Sequence, residues 1–412
     1  MKKFLALTLA ILMTLSLTAA ASAETPKTVI TFWNGFTGSD GEVLKELTEV
    51  YNQTNTANVE VKMEIMSWDS LYQKLATTLP VGQGPDIIAF NTERIGAYAE
   101  AGSLAAIDDL YEGGIDASLI PPAFAENLKF GGKYYGVPCD FATLLMYYNK
   151  DMFAAAGLDP NQPPTTWDEL EDYAKKLTRT VDGEQQYGFG MATNNTIPMW
   201  PVMIWAGGGD FIKDGKSVFG SKENVETVSR WSKLIREGGI APAVMTGAEI
   251  DTLFSSGKLG MYFCGPWATG IFDAAGLNYG IAAPPAGPAG AATLGTGVAM
   301  VMTSSSQNKD AVYDYFKYWN SLEPQIAWSL KVGFPLSRTD AAADPRIIEN
   351  AKVTAFSGVA KDMHFYLQQL TNYAEIDADV IIPALENILL TGADVQKTLD
   401  DAAAQMDALL AK

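Results

Sequence analysis

The stretch KYYGVPCDFATLLMYYNKDMF, residues 133–153, decides how the rest of the chain reads. It opens on an extended run, Tyr134-Tyr135-Gly136-Val137-Pro138, that ends on a stiff residue. A second apolar run covers residues 144–148, and one carboxylate, Asp140, stands between the two. Short runs of β-branched, aromatic and aliphatic residues read as buried strands. Asn149, Lys150 and Asp151 then supply a turn and a helix start. No Gly-rich turn separates the runs, so they do not read as a hairpin. They predict one ribbon passing between two lobes, with Asp140 at the crossing.

Working outward, residues 29–32 read as a short strand ending in Trp33-Asn34-Gly35-Phe36. Ser39, with Glu42 three residues on, has the spacing of a capping box and predicts a helix to about Tyr51. Residues 59–65 alternate as a strand, residues 69–78 are helical, and residues 86–90 form a buried strand. This alternation predicts a parallel sheet with crossovers. Downstream, Thr166 and Glu169 form a second capping box. Residues 199–205 are an apolar run ending in glycines, residues 224–236 read as helix, and residues 259–264 as strand before Gly265-Pro266-Trp267. Residues 282–292 form a loop, residues 297–303 a strand, residues 311–321 a helix, and residues 345–410 are mostly helical.

A chain of 412 residues is too long for one ordinary domain, so two lobes are expected. Lys2 and Lys3, the apolar residues 4–17 and Ala21-Ser22-Ala23 predict a signal peptide over residues 1–23, cleaved after Ala23. The apolar run is shorter than the ~20 residues that cross a bilayer. No Cys follows the cleavage site, so no lipid anchor is expected, and the mature chain begins near Glu24. The formal net charge of −19 becomes more negative once Lys2 and Lys3 are removed. Nucleic acid and anionic membranes need clustered Lys and Arg, so the charge excludes both as partners. Cys139 and Cys264 either pair after export or serve as small buried hydrophobes.

The residues that follow the strands carry the chemistry. Trp33 and Asn34 follow the first; Phe90, Asn91, Glu93 and Arg94 the third. Asp140 lies at the crossing. Trp200, Trp205 and Gly207 bound the apolar run, and Trp267 follows Gly265-Pro266. Open α/β sheets bind ligands at the carboxyl ends of their strands. Aromatic faces cover the C–H side of a sugar ring, while carboxylates and Arg take paired hydroxyls. Each residue also has a plain structural role open to it: a Trp is more often core than platform, and an acid at a helix start is favoured by the dipole. Catalysis has little support. His364 stands alone, and no nucleophile, zinc or phosphate-loop motif is present. Asp140 and Glu93 are the one pair to suspect of acid–base work on a glycosidic bond. No cofactor or metal is expected.

The blocks around these residues resemble the extracytoplasmic sugar-binding proteins of ABC importers, the family of the maltose-binding protein, over nearly all of the mature chain. GPDIIAFNTERIGAYAEAGSLAAID (residues 84–108) is similar to the family's stretch in which an acid–Arg pair and an aromatic contact sugar. The organising stretch resembles its first lobe crossing. Met199-Trp200-Pro201, Gly265-Pro266-Trp267, Gly333-Phe334-Pro335-Leu336 and Asp344-Pro345-Arg346 follow in family order. The resemblance implies that Phe90, Glu93 and Arg94 contact ligand, that Trp267 is a stacking platform, and that Trp200 or Trp205 is a second. The maltose pattern has a Glu where this chain has Ala142, and Asp140 is the nearest carboxylate. Its C-terminal aromatic falls near Asp379, with Tyr373 the closest aromatic. The chain thus departs from the maltose pattern itself.

The expected fold is α/β: a two-lobed periplasmic-binding-protein fold, each lobe a mainly parallel sheet flanked by helices, joined by crossings near Cys139, Thr296 and Pro335. The first lobe is expected over residues 24–138 plus 298–334, the second over 139–297 plus 335–412. The expected function is capture of a sugar or small oligosaccharide between the lobes. The expected partners are that carbohydrate and the permease subunits of an ABC importer, with the protein a periplasmic monomer. The alternatives are a secreted hydrolase using paired carboxylates, or the same fold binding glycerol phosphate or a polyamine.

Overall fold

The computed structural model describes residues 26–193, 199–368 and 370–411; the expected signal peptide and its cleavage site lie outside them. The first sheet holds β1 (Thr28–Asn34), β2 (Val59–Ile65), β3 (Ile87–Asn91), β4 (Gly136–Thr143), β10 (Thr293–Met302) and β11 (Met363–Phe365). The second holds β5 (Leu145–Asn149), β6 (Arg179–Val181), β7 (Glu184–Gly190), β8 (Leu259–Cys264) and β9 (Tyr279–Ala282). Helices α1 (Ser39–Thr54), α2 (Trp68–Thr78), α3 (Lys150–Ala155), α4 (Trp167–Leu177), α5 (Trp200–Ala206), α6 (Lys222–Arg236), α7 (Gly247–Ser255), α8 (Lys309–Trp319), α9 (Leu322–Val332), α10 (Tyr373–Ile376), α11 (Ile382–Thr391) and α12 (Val395–Leu410) cover them.

The first sheet is parallel in three of its five pairings, whereas the second is mainly antiparallel. β1 runs parallel to β2 and β3, but β10 lies antiparallel to both β3 and β4. In the second sheet only β7 and β8 run parallel; β5 pairs antiparallel with β8 and β9, and β6 with β7. The chain re-enters each sheet through the crossing segments, and those returns set antiparallel neighbours that strand–helix alternation does not reveal.

The organising stretch is one ribbon through both sheets. Every residue of β4 and β5 is buried, and Leu144 alone separates them. The handover falls there, four residues past Asp140. Leu144 N–H donates to Thr293 Oγ1 at 3.1 Å, and Thr293 Oγ1 donates to Leu144 C=O at 2.6 Å. Two crossing segments are thus tied side to side.

Buried apolar side chains form two large clusters. One draws on residues 30–142 and 298–334, the other on residues 144–294 and 356–409. Cys139, Phe141 and Ala142 pack into the first, so the first crossing falls later than the sequence suggests. A small third cluster, of Ile326, Leu336, Ala341, Ile347 and Val353, lies along the last passage. Both cysteines are buried and unpaired.

Two capping boxes were expected and one forms. At α4, Glu169 N–H donates to Thr166 Oγ1 at 3.3 Å and Thr166 N–H to Glu169 Oε2 at 3.2 Å. At α1 the cap is Gly38, with no side-chain capping bond. Asp40 takes the local donors instead, accepting from Gly38 N–H at 3.1 Å and Gly41 N–H at 2.8 Å.

Candidate functional site

β3 ends in a turn, Thr92–Arg94, that carries Glu93 and Arg94, both half-buried. The Arg94 guanidinium carbon lies 3.9 Å from the centre of the Tyr72 ring. Tyr72 comes from α2, where Trp68 one turn earlier stacks on it at 6.1 Å and 22°. The Tyr72 hydroxyl donates to Asn91 Oδ1 and accepts from Asn91 N–H at 3.2 Å. Strand end, helix face and guanidinium therefore form one rigid unit.

The second lobe meets this unit through α10. The Tyr373 ring lies 6.0 Å from the Arg94 guanidinium. α10 runs on into one π-helical turn, Asp377–Ile381, a distortion that recurs at functional sites. Asp377 accepts from Tyr366 O–H at 2.8 Å, and Tyr366 packs edge-on to Tyr373 at 6.1 Å. Burial pushes the Glu93 carboxyl up to about 7; Asp377 adds to the rise, while the Glu93 backbone N–H and then Arg94 oppose it. Burial raises Asp377 too, against the Tyr366 hydrogen bond and the pull of Arg94. Arg94 thus acts on one acid from each lobe, Glu93 and Asp377.

Trp267 stands at another point of the seam, half-buried and packed against both large clusters. Its ring lies over Gly265, where a Cβ would come within 1.9 Å of it, and 6.4 Å from Phe334. Beside that turn, Ser39, Gly270 and Gly333 border an interlobe cavity of about 480 Å³.

The other candidates lie elsewhere. Trp33 is half-buried beneath Lys74, whose Nζ sits 3.6 Å from the ring centre. Asn34 is fully buried, and its Oδ1 accepts from Phe36 N–H. Phe90 is fully buried against Tyr98 and Tyr72, so it supports the site from beneath. Trp200 and Trp205 lie on a helix, not at a strand end, and both are buried in the second core. Trp205 donates its N–H to Asp210, and His364 stacks on its face at 5.0 Å. Gly207 serves packing: a Cβ there would fall 2.0 Å from Thr227 Oγ1 on α6. Asp140 is 3% exposed, and its Oδ2 has no hydrogen-bond partner. Burial, then Asp40, pushes it well above the usual carboxylate range, against a backbone bond from Val298. Buried as it is, Asp140 does not join Glu93 as an exposed acid pair.

Sequence reasoning missed Tyr72, Trp68, Asp377 and Phe334. Trp68 and Tyr72 carried a usable signal, two aromatics at i and i+4 on one helix face; Asp377 carried none. Among the described residues no cluster could hold a metal, and no helix is long and apolar enough to cross a membrane.

Residues 36–326 match the family model for the bacterial extracellular solute-binding protein. A protein of Brucella abortus (strain 2308), named only as a binding protein, is 30% identical over all of this chain and 99% of its own length. The maltotriose-binding protein of Pyrococcus abyssi is 25% identical over 84% of this chain and 74% of its own. An sn-glycerol-3-phosphate-binding periplasmic protein of Brucella suis is 25% identical over 80% and 78%. In structure, an ABC transporter solute-binding protein of Thermotoga lettingae, bound to α-D-tagatose, matches with a TM-score of 0.84 at 24% identity. That match covers 93% of this chain and all of the other.

Proposed function

The chain belongs to the bacterial extracellular solute-binding protein family, and from that premise we propose that it captures a sugar or small oligosaccharide between its lobes. It then delivers the ligand to the permease subunits of an ABC importer, acting as a periplasmic monomer without chemistry of its own. The lobes we assign follow the two apolar clusters, residues 26–142 with 298–334 and residues 144–294 with 356–411.

One observation carries the choice of ligand: Arg94 and Glu93 from one lobe meet Tyr373 and Asp377 from the other. Tyrosine faces beside a guanidinium and carboxylates suit a ring with apolar C–H faces and paired hydroxyls. Trp267, half-buried at the seam and backed by Phe334, supplies a further face. The glycerol phosphate relative supports a second reading. The local charge weighs against it, because a phosphate would meet two carboxylates with one guanidinium.

The test is a titration of the mature protein, followed by its own Trp fluorescence, against neutral mono- and oligosaccharides, glycerol 3-phosphate and a polyamine. Saturable binding of a sugar, recovered intact, is expected. Arg94→Ala and Trp267→Ala should each weaken it roughly tenfold to a hundredfold, the loss of a charge-assisted hydrogen bond or a ring contact. Affinity unchanged in both variants would sink the assignment. Breakdown of the sugar would move the protein to the hydrolases.

A further inference from the structure

We propose that Arg94 is the closure clamp of this protein, and that Tyr72 and Tyr373 are the positioning residues that make it one. The proposal rests on the reading of Arg94 as a ligand contact and adds a second role to it. Half of the clamp is built into the first lobe. Tyr72 is held by its hydroxyl bonds to Asn91, by Trp68 on its face and by Phe90 at its edge, 5.9 Å away. Arg94 lies on that ring at 3.9 Å. These contacts stay within one lobe, so they hold whether the cleft is open or shut.

The other half is made only when the lobes meet. Tyr373 belongs to the second core and comes within 6.0 Å of the same guanidinium. That distance is at the outer reach of a cation–π contact, which extends to about 6 Å from the ring centre. Asp377 of the second lobe is pulled toward Arg94 of the first, while the like charge of Glu93 opposes it. Asp377, four residues after Tyr373, opens the π-helical turn, and its carboxylate is tied back to Tyr366. Tyr366 thus braces both second-lobe partners of Arg94, Asp377 through its hydroxyl and Tyr373 through its ring edge.

A contact present only in the closed form lowers its free energy whether or not sugar is bound. The ligand-free protein therefore visits the closed form, and a planar guanidinium is needed for it. Lys, a compact point charge, does not replace a stacked Arg.

Small-angle scattering of the full mature chain, with no sugar present, tests this. Tyr373→Leu removes the ring and should shift the population about two- to tenfold toward the open form, seen as a larger radius of gyration. That range follows from a cation–π contact at a partly exposed site. Arg94→Lys should do the same, and the double variant should move no further than either single. Tyr373→Phe keeps the ring, so it should follow the wild type and controls for folding. A Tyr373→Leu curve that superposes on the wild type, or strictly additive effects, overturns the clamp. Because no sugar is present, this result stands apart from the titration that tests the ligand.

Discussion

Glu93 shows how one side chain records the conflict at the site. Its carboxyl rises to about 7 from 4.5 because burial disfavours the charge and the neighbouring acid adds to that. A carboxylate raised in the folded state costs stability once it must ionise. Between about pH 4.5 and 7 the folded protein holds the proton and the unfolded chain does not, so stability falls as pH rises. Below that window the group costs nothing, and above it the loss is complete, at about 3 kcal/mol. Glu93→Gln should therefore leave the urea midpoint at pH 4 unchanged and raise it at pH 8. Equal midpoint differences at both pH values would show that Glu93 does not carry the penalty. The adjacent Glu93-Arg94 pair was legible in the sequence because it follows a strand. Its partners Tyr373 and Asp377 lie some 280 residues away, and no local pattern brings them there.

Elements were legible where a local rule met no competitor. Val59–Ile65 and Leu259–Cys264 match the sequence reading to the residue, because alternation or continuous burial leaves one solution. The two Ser/Thr-x-x-Glu patterns separate local rule from outcome. Thr166 and Glu169 satisfy each other across the start of α4, so Thr166→Ala should cost about 1 kcal/mol. Ser39 makes no capping bond to α1, because Asp40 already engages the neighbouring amides. Ser39→Ala should then fall within about 0.5 kcal/mol of the wild type, as surface changes away from such features do. Thermal unfolding of the two variants side by side checks the contrast, and similar losses in both would contradict the geometry. Residues 199–205 misled for the opposite reason. A short, wholly apolar run has no period to read, so helix α5 and a buried strand look alike. The Gly207–Thr227 approach, which packs that helix on α6, needs the tertiary structure to be seen.

At the scale of the molecule, two lobes were legible from length and from one ribbon of buried strand, but the point of handover was not. Asp140 looked like the crossing because a charge rarely sits inside a sheet. It does sit there, its carboxyl pushed up by burial, and the two apolar clusters part between Ala142 and Leu144. The tie between crossings depends on one hydroxyl. Thr293 Oγ1 both donates to and accepts from the Leu144 backbone, and Thr143 O–H donates to Phe356 C=O on the far side at 2.8 Å. Thr293→Val keeps the shape and removes both bonds. Leu144 N–H retains a 3.2 Å bond to Leu294 C=O, so the main loss is a buried carbonyl without its partner, about 1–3 kcal/mol. That loss falls between two cores rather than inside either. It should therefore lower the melting temperature and also loosen the coupling of the two unfolding events, broadening or splitting the calorimetric transition. A change inside one core would destabilise that lobe and leave the hinge pairing intact. Thr293→Ser, which restores the hydroxyl, should recover the wild-type profile. If Thr293→Val melts like the wild type and in one step, the crossing strands are joined by the sheet alone, and closure turns on β4 and β10 without this tie.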